Sequence, residues 1–286
     1  MHITTQSIKK HTGSDFLAKK YIYQEFKKIY EITDDDTKHK ENLLEMNSEL
    51  CRYNSIFPYK YNIVKISNEH KFINASWINL PFEKFFIAAQ GPRENTIEDF
   101  WQMCFEYNVK VIVMLCNLIE AGKEKCSAYW EIIHPKNFRI RNINILEENN
   151  FYAKKEITVE KINENMNRTF SHIHYKQWPD KETPNIENVV HAFEIIFNFM
   201  KQRKEKEPAV LHCSAGIGRT GVFLSLFILY EEIMQNINND SSEYITFNIF
   251  NLVRKLKELR LYSVENLELY KFIYYFIDEL LKEKNK

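Results

Sequence analysis

Only six glycines and seven prolines interrupt the 286 residues, so where either clusters the backbone needs a break. There is no surplus of charge: 39 Lys and Arg face 39 Asp and Glu. That balance argues against a general nucleic-acid binder, which carries a basic excess, yet leaves room for a local anion site. No apolar run approaches the length that crosses a bilayer; the run 111–116 is typical of the longest. The cysteines at 51, 104, 116, 126 and 213 include no Cys-x-x-Cys pair and no zinc-like Cys/His spacing. Their number is odd, so at least one thiol has no mate within the chain. The polar opening 1–6 lacks the apolar core of a secretory signal, and 282–286 carries no lipidation signal. These absences predict a protein of the reducing cytoplasm or nucleus, with no metal, no cofactor, no membrane and no nucleic-acid partner. There is no internal repeat and no low-complexity segment.

Hydrophobic residues make up 44% and charged residues 27%, an ordinary globular balance at a length that buries a substantial core. Apolar spacing predicts helices over 15–32, 40–50 and 95–107, and later over 187–203, 218–235, 243–259 and 265–281. Between them, 61–66, 72–78, 85–89, 109–116, 138–146, 156–162 and 169–177 read as strands, with 209–211 a short buried one. The mixed-charge run 201–207 reads as a solvated helix end.

Three of the six glycines fall in His212-Cys213-Ser214-Ala215-Gly216-Ile217-Gly218-Arg219-Thr220-Gly221. This segment follows the short strand and opens the apolar helix at 218. Helix N-terminal N–H groups lack internal partners and attract anions, and glycines let successive N–H groups turn inward. Such a cradle favours a cysteine thiolate at Cys213. Arg219 can grip two phosphate oxygens at once and keeps its charge. Thr220 can donate its hydroxyl to the sulfur. The phosphate-binding set is then Ser214, Ala215, Gly216, Ile217, Gly218 and Arg219.

The segment resembles the signature of the phosphotyrosine-specific protein tyrosine phosphatases at every fixed position. Trp178-Pro179-Asp180, followed by Thr183-Pro184, is similar to that family's mobile acid loop. The resemblance implies that Asp180 protonates the leaving tyrosine and later acts as base. Cys51-Arg52-Tyr53 resembles the end of the phosphotyrosine-recognition loop, with Tyr53 stacking on the substrate ring. The implied substrate-binding set is Tyr53, Ser55, Trp178 and Tyr262. Phe72-Ile73-Asn74-Ala75-Ser76, Ala88-Ala89-Gln90-Gly91-Pro92, Thr96-Ile97-Glu98-Asp99-Phe100-Trp101 and 111–115 also match, and read as packing motifs. In the loop that follows, Glu120 is expected to hold the signature arginine and Lys125 to sit near the acid loop, with His212 as a further supporting residue.

The match spans about residues 40–282 and implies one α/β domain: a twisted mixed sheet flanked by helices on both faces. Residues 1–40 form an expected helical extension and 41–282 the catalytic core. The Lys, Asn, Ile, Phe and Tyr bias is similar to that of short phosphatases encoded by insect-parasitoid bracoviruses. The implied partners are phosphotyrosine proteins met by a monomer.

Several positions depart from the family pattern. The usual Lys-Asn before Arg52 is Leu50-Cys51, and the usual Asp or Asn two beyond Tyr53 is Ser55. The segment 260–272 aligns without a gap, its frame set by Arg260 and by Glu268-x-Tyr270-Lys271-Phe272. Both family glutamines are absent from it: Glu265 and Leu269 stand in their places, and Tyr262 stands where a small residue keeps the entrance open. The first glutamine positions the water that cleaves the phosphocysteine. Glu265 there either repels the phosphoryl oxygens as a carboxylate or stays protonated and orients water as an amide does, and the expectation is a slow second step more dependent on pH than with glutamine. The alternative is a phosphotyrosine-binding protein that turns over weakly or not at all.

Overall fold

The computed structural model describes residues 6–9, 19–33, 47–67, 72–79, 85–131, 136–179, 182–202, 207–238 and 244–284. Its centre is a mixed seven-stranded sheet. The strands are β2 (Ala75–Asn79), β3 (Phe85–Ala89), β4 (Val111–Met114), β7 (Phe138–Glu148), β8 (Tyr152–Lys161), β9 (Met166–Tyr175) and β10 (Ala209–His212). Their order across the sheet is β2-β3-β10-β4-β9-β8-β7. The four middle strands, β3, β10, β4 and β9, run parallel, while β2, β8 and β7 are antiparallel to their neighbours. Parallel strands buried on both faces read as unbroken apolar runs, and β4 and β10 are buried at all four positions.

Helices cover both faces. On one face α2 (Ile97–Glu106) buries Phe100, Trp101, Met103 and Phe105, with Trp101 5.2 Å from Phe170 of β9. On the other, Phe193 of α3 (Ile186–Lys201) meets Tyr175 of β9 at 4.9 Å. There too, Phe227 of α4 (Gly218–Asn238) meets Phe86 of β3 at 5.4 Å. After its first turn, α4 is apolar from Val222 to Leu229 except for Ser225, and this stretch is wholly buried, as a helix hydrophobic on nearly every side must be. Helices α5 (Ile249–Leu259), α6 (Leu267–Lys284) and α1 (Lys19–Thr33) pack together beside it.

Some expectations need correction. The run 61–66 is not a strand: it makes a single bridge, Ile63 to Ser76. Asn62 diverts it, donating its side-chain amide to the Trp77 and Leu259 carbonyls. The helix expected over 243–259 divides into β11 (Tyr244–Phe247) and α5. Asn248 makes the break, its side chain accepting from Asn251 N–H at 2.9 Å as an N-cap does. The partner of β11 is β1 (Gln6–Lys9), an antiparallel pairing across almost the whole chain. Thus the extension expected to be helical also contributes a strand. Within 40–50, one short 3-10 turn covers Ser48–Leu50, and 40–46 lies outside the described residues.

Candidate active site

Cys213 is the first residue after β10 and lies at the centre of the parallel strands, 5% exposed. The chain from 213 to 217 loops into the N-terminus of α4. Gly216 has φ 71°, and a Cβ there would stand 2.1 Å from the Ala89 carbonyl oxygen. Its N–H points at the Cys213 sulfur, 3.3 Å away. Gly91 closes the other side, donating to the Ser214 carbonyl at 2.9 Å. A Cβ on Gly91 would meet the Cys213 carbonyl oxygen at 2.6 Å.

A loop whose N–H groups face inward turns its carbonyls outward, and those need donors. Arg260, 1% exposed, supplies them. Its Nε donates to Gly216 O at 2.7 Å and Nη2 to Ala215 O at 3.1 Å. The same guanidinium donates to Asn74 Oδ1 (2.9 Å) and Ser76 Oγ (3.1 Å). Burial draws the Arg260 guanidinium down to about 10, a loss that Cys213 and Cys51 partly offset. Asn74 passes the connection on, donating to the Ile56 carbonyl at 2.7 Å and so tying the loop that carries Tyr53 to the loop at 213–217. The sequence marks Arg260, Asn74 and Ser76 only as register and packing positions. The one signal it offers is a run of polar residues inside otherwise apolar motifs.

Arg219 and Glu120 form a two-pronged ion pair, Nη1 to Oε1 and Nη2 to Oε2, both 2.6 Å. Nη1 also donates to Leu115 O at 3.1 Å. Burial works against the Arg219 charge, but the Glu120 bonds and Cys213 outweigh it and hold the group above its ordinary value. Glu120 lies in a tight hairpin, β5 (Ile119–Glu120) with β6 (Lys123–Glu124), which Ala121 and Gly122 turn at φ 48° and 72°. The expected clamp between Glu120 and Arg219 is therefore formed. Lys125 follows the hairpin, buried.

Behind the loop lies a hydrogen-bonded relay. Tyr129 Oη sits 2.6 Å from His172 Nε2 and 2.9 Å from His212 Nε2. His212 Nδ1 donates to the Cys213 carbonyl at 3.2 Å, which leaves its Nε2 to accept the Tyr129 proton. His172 Nε2–H then donates to Tyr129. Its Nδ1 is buried without a partner, as a bare ring nitrogen in this arrangement would be. Burial pushes His212 down to about 4 and His172 well below the usual histidine value. Of this relay only His212 is legible in the signature.

The remaining expected residues divide. Tyr53 Oη is 2.9 Å from Ser214 Oγ, so this tyrosine stands against the 213–217 loop. Arg52 anchors it, donating to the Gly91 and Pro92 carbonyls at 3.1 and 2.7 Å. Beside Tyr53 opens a cleft of about 850 Å³ lined by Arg52, Arg93, Lys123, Glu124 and Lys125. Ser55 is exposed in the turn after Tyr53. Tyr262 is half-buried with φ 63°, a backbone region that glycine adopts freely. Trp178 does not line a substrate surface. It is 2% exposed among Tyr175, Phe193 and Phe272, and its indole N–H bonds to Glu182 O. With its N–H satisfied, this indole anchors the chain at Trp178 to the core. Asp180 itself lies outside the described residues. The hydroxyl of Thr220 is buried without a hydrogen-bond partner, the Cys213 sulfur included. Glu265 points at the first turn of α4: its Oε1 would lie 2.6 Å from a Cβ placed on Gly218, with Leu269 Cδ1 at 3.3 Å.

Residues 47–279 match the family described as protein-tyrosine phosphatase. The chain is 32% identical over 269 residues to tyrosine-protein phosphatase non-receptor type 20 of Rattus norvegicus, covering 91% of this chain and 61% of that protein. It is also 32% identical over 296 residues to receptor-type tyrosine-protein phosphatase zeta of Rattus norvegicus, covering 94% of this chain and 12% of that one. The chain thus spans about three fifths or less of these relatives' lengths. The fold is shared with the catalytic domain of human protein tyrosine phosphatase non-receptor type 18, with a TM-score of 0.78 at 24% identity, over 92% of this chain and 96% of that one. A structure titled as PTPN18 in complex with HER2-pY1196 phosphor-peptides also aligns at 0.78, with 23% identity, over 93% and 94% of the two chains.

Proposed function

The chain belongs to the protein-tyrosine phosphatase family, and within it we propose that this member hydrolyses phosphotyrosine in proteins through a phosphocysteine on Cys213. The observation that carries the reading is the joint geometry of Cys213 and Arg219. One faces the Gly216 N–H from the loop floor, and the other is clamped by Glu120 at the loop's end. In the first step the sulfur forms a bond to phosphorus as the bond to the tyrosine oxygen breaks. Asp180 gives that oxygen its proton. Arg219 and the loop N–H groups hold the three equatorial oxygens, where charge spreads in the transition state. In the second step a water oxygen attacks phosphorus, the S–P bond breaks and Asp180 takes the proton, releasing phosphate and thiolate. The role of Asp180 rests on its place in the Trp178-Pro179-Asp180 motif.

Tyr53 sets the substrate class. A tyrosine standing over the loop makes a deep slot, which a phosphoserine is too short to fill. The cleft beside Tyr53 accommodates residues flanking the phosphotyrosine. Five unpaired, buried cysteines fit the reducing cytoplasm proposed for this enzyme, acting as a monomer. The proposed viral origin has only the residue bias behind it. A second reading, weak turnover with capture of phosphotyrosine proteins, draws support from Glu265 and Leu269 against Gly218.

The test is hydrolysis of p-nitrophenyl phosphate and of matched phosphotyrosine, phosphoserine and phosphothreonine peptides. Wild type is expected to turn over many times and to prefer phosphotyrosine strongly, and Cys213→Ser to abolish turnover while retaining phosphopeptide binding. Near-normal activity of Cys213→Ser overturns the mechanism. Equal kcat/KM on all three peptides overturns the slot. Binding without turnover by wild type selects the second reading.

A further inference from the structure

The structure places near Glu265 a buried cation that the sequence does not disclose. Lys257, on the last turn of α5, is 2% exposed. Its ammonium lies 4.8 Å from the centre of the Tyr30 ring and 5.8 Å from that of Phe26, both on α1. Aromatic faces attract a cation, and here they also exclude water from it. Tyr30 joins the two halves of the arrangement: its hydroxyl donates to the Glu265 carbonyl at 3.2 Å. Burial pulls Lys257 down to about 8, and the negative charge of Glu265 opposes that shift. Lys257 therefore keeps its proton at neutral pH and, set near Glu265 by their shared neighbour Tyr30 and not by a direct ion pair, acts on its charge through a buried medium of low dielectric. The carboxylates of α1 are engaged elsewhere: Glu25 by the hydroxyls of Tyr270 and Tyr274, and Glu31 by Lys28.

We propose that Lys257 is a positioning residue that neutralises Glu265 at the rim of the phosphate loop, so that the pair does the work of an uncharged amide in orienting the attacking water. An amide presents an oxygen and no net charge to the phosphocysteine. A lone carboxylate presents the oxygen but repels the phosphoryl group. A carboxylate whose charge is met by a buried ammonium restores the first condition. Leu269 packs on the same Gly218 and keeps that side apolar. The inference rests on the phosphatase reading above and concerns only its second step.

The test is a two-by-two set of variants followed by rapid mixing with p-nitrophenyl phosphate: wild type, Lys257→Gln, Glu265→Gln and the double variant. With Glu265 present, Lys257→Gln is expected to lower the steady rate by about tenfold or more while the first turnover keeps its rate, giving a pronounced burst. In the Glu265→Gln background the same substitution is expected to cost at least about fivefold less, because a neutral amide needs no counter-ion. Lys257→Arg, which keeps the charge, is expected to retain most of the steady rate. An equal loss in both backgrounds, or no loss in either, overturns the proposal. If Lys257→Gln folds only in combination with Glu265→Gln, the coupling is supported; if it folds in neither background, Lys257 serves the core alone and the proposal falls. Should wild type release no nitrophenol at all, the phosphatase reading fails instead.

Discussion

Gly216 shows how little freedom single positions of the site have. Its φ of 71° suits glycine, and any Cβ would be driven into the Ala89 carbonyl at 2.1 Å. Relief is not available from a side chain, because the obstacle is the backbone of a buried central strand. Gly216→Ala is therefore expected to lower stability by about 1–3 kcal/mol, the usual scale of a strained backbone position. It should lower kcat as well, because the displaced N–H is the one facing Cys213; thermal unfolding and nitrophenyl phosphate turnover together check it. The acid loop makes a second residue-level test. Asp180→Ala is expected to lower kcat on phosphotyrosine peptides by about 10²–10⁴, the usual range for a general acid. The loss should shrink for leaving groups that need no proton, and an equal loss for all leaving groups would contradict the role. Gly216 could be read from the chain because it belongs to a contiguous motif whose chemistry depends on local spacing. Arg260 could not, since its purpose depends on carbonyls of 215 and 216 that meet it only in the folded chain.

At the level of elements, the strands β9 and β10 carry more than packing. They bring His172 and His212 to Tyr129 beneath the loop, and His174 donates to the Cys116 carbonyl at 2.9 Å. Burial, first among the causes, holds His174 and His212 at about 4 and His172 well below 6.5. The unfolded chain takes up those protons near pH 6.5 and the folded chain does not. Stability from these groups is thus full above pH 6.5 and is lost as pH falls from there toward 4. Urea unfolding should show a loss on the order of 1–2 kcal/mol per histidine between pH 7 and 5. His174→Gln should reduce that loss, and an unchanged pH profile would place the shift elsewhere. Strands such as Phe85–Ala89 and Ala209–His212 were legible because a strand buried on both faces leaves an apolar run. The division at Asn248 was not, because β11 exists by pairing with residues 6–9, a partner that periodicity near 248 does not reveal.

For the whole molecule, the N-terminal segment has to be counted with the site. Ile22 and Ile29 of α1 are buried at 2% and 0% exposure, and Glu25 binds the hydroxyls of two α6 tyrosines. The same helix lays Phe26 and Tyr30 over Lys257 and fastens Tyr30 to Glu265. The phosphate loop, by contrast, is braced by Arg260, Asn74 and Glu120, none of which belongs to α1. Loosening α1 should therefore separate the two chemical steps. Ile29→Ala removes a fully buried side chain and is expected to cost about 2–5 kcal/mol. Vanadate, which reports on the loop alone, should bind as tightly as to wild type. The first turnover should keep its rate, while the steady rate falls because water reaches Lys257 and weakens its hold on Glu265. Tyr30→Phe, which keeps the ring over Lys257 but drops the bond to the Glu265 carbonyl, should fall between wild type and Ile29→Ala in steady rate. If Ile29→Ala weakens vanadate binding and the first turnover as much as the steady rate, then α1 supports the core as a whole and has no separate connection to the second step.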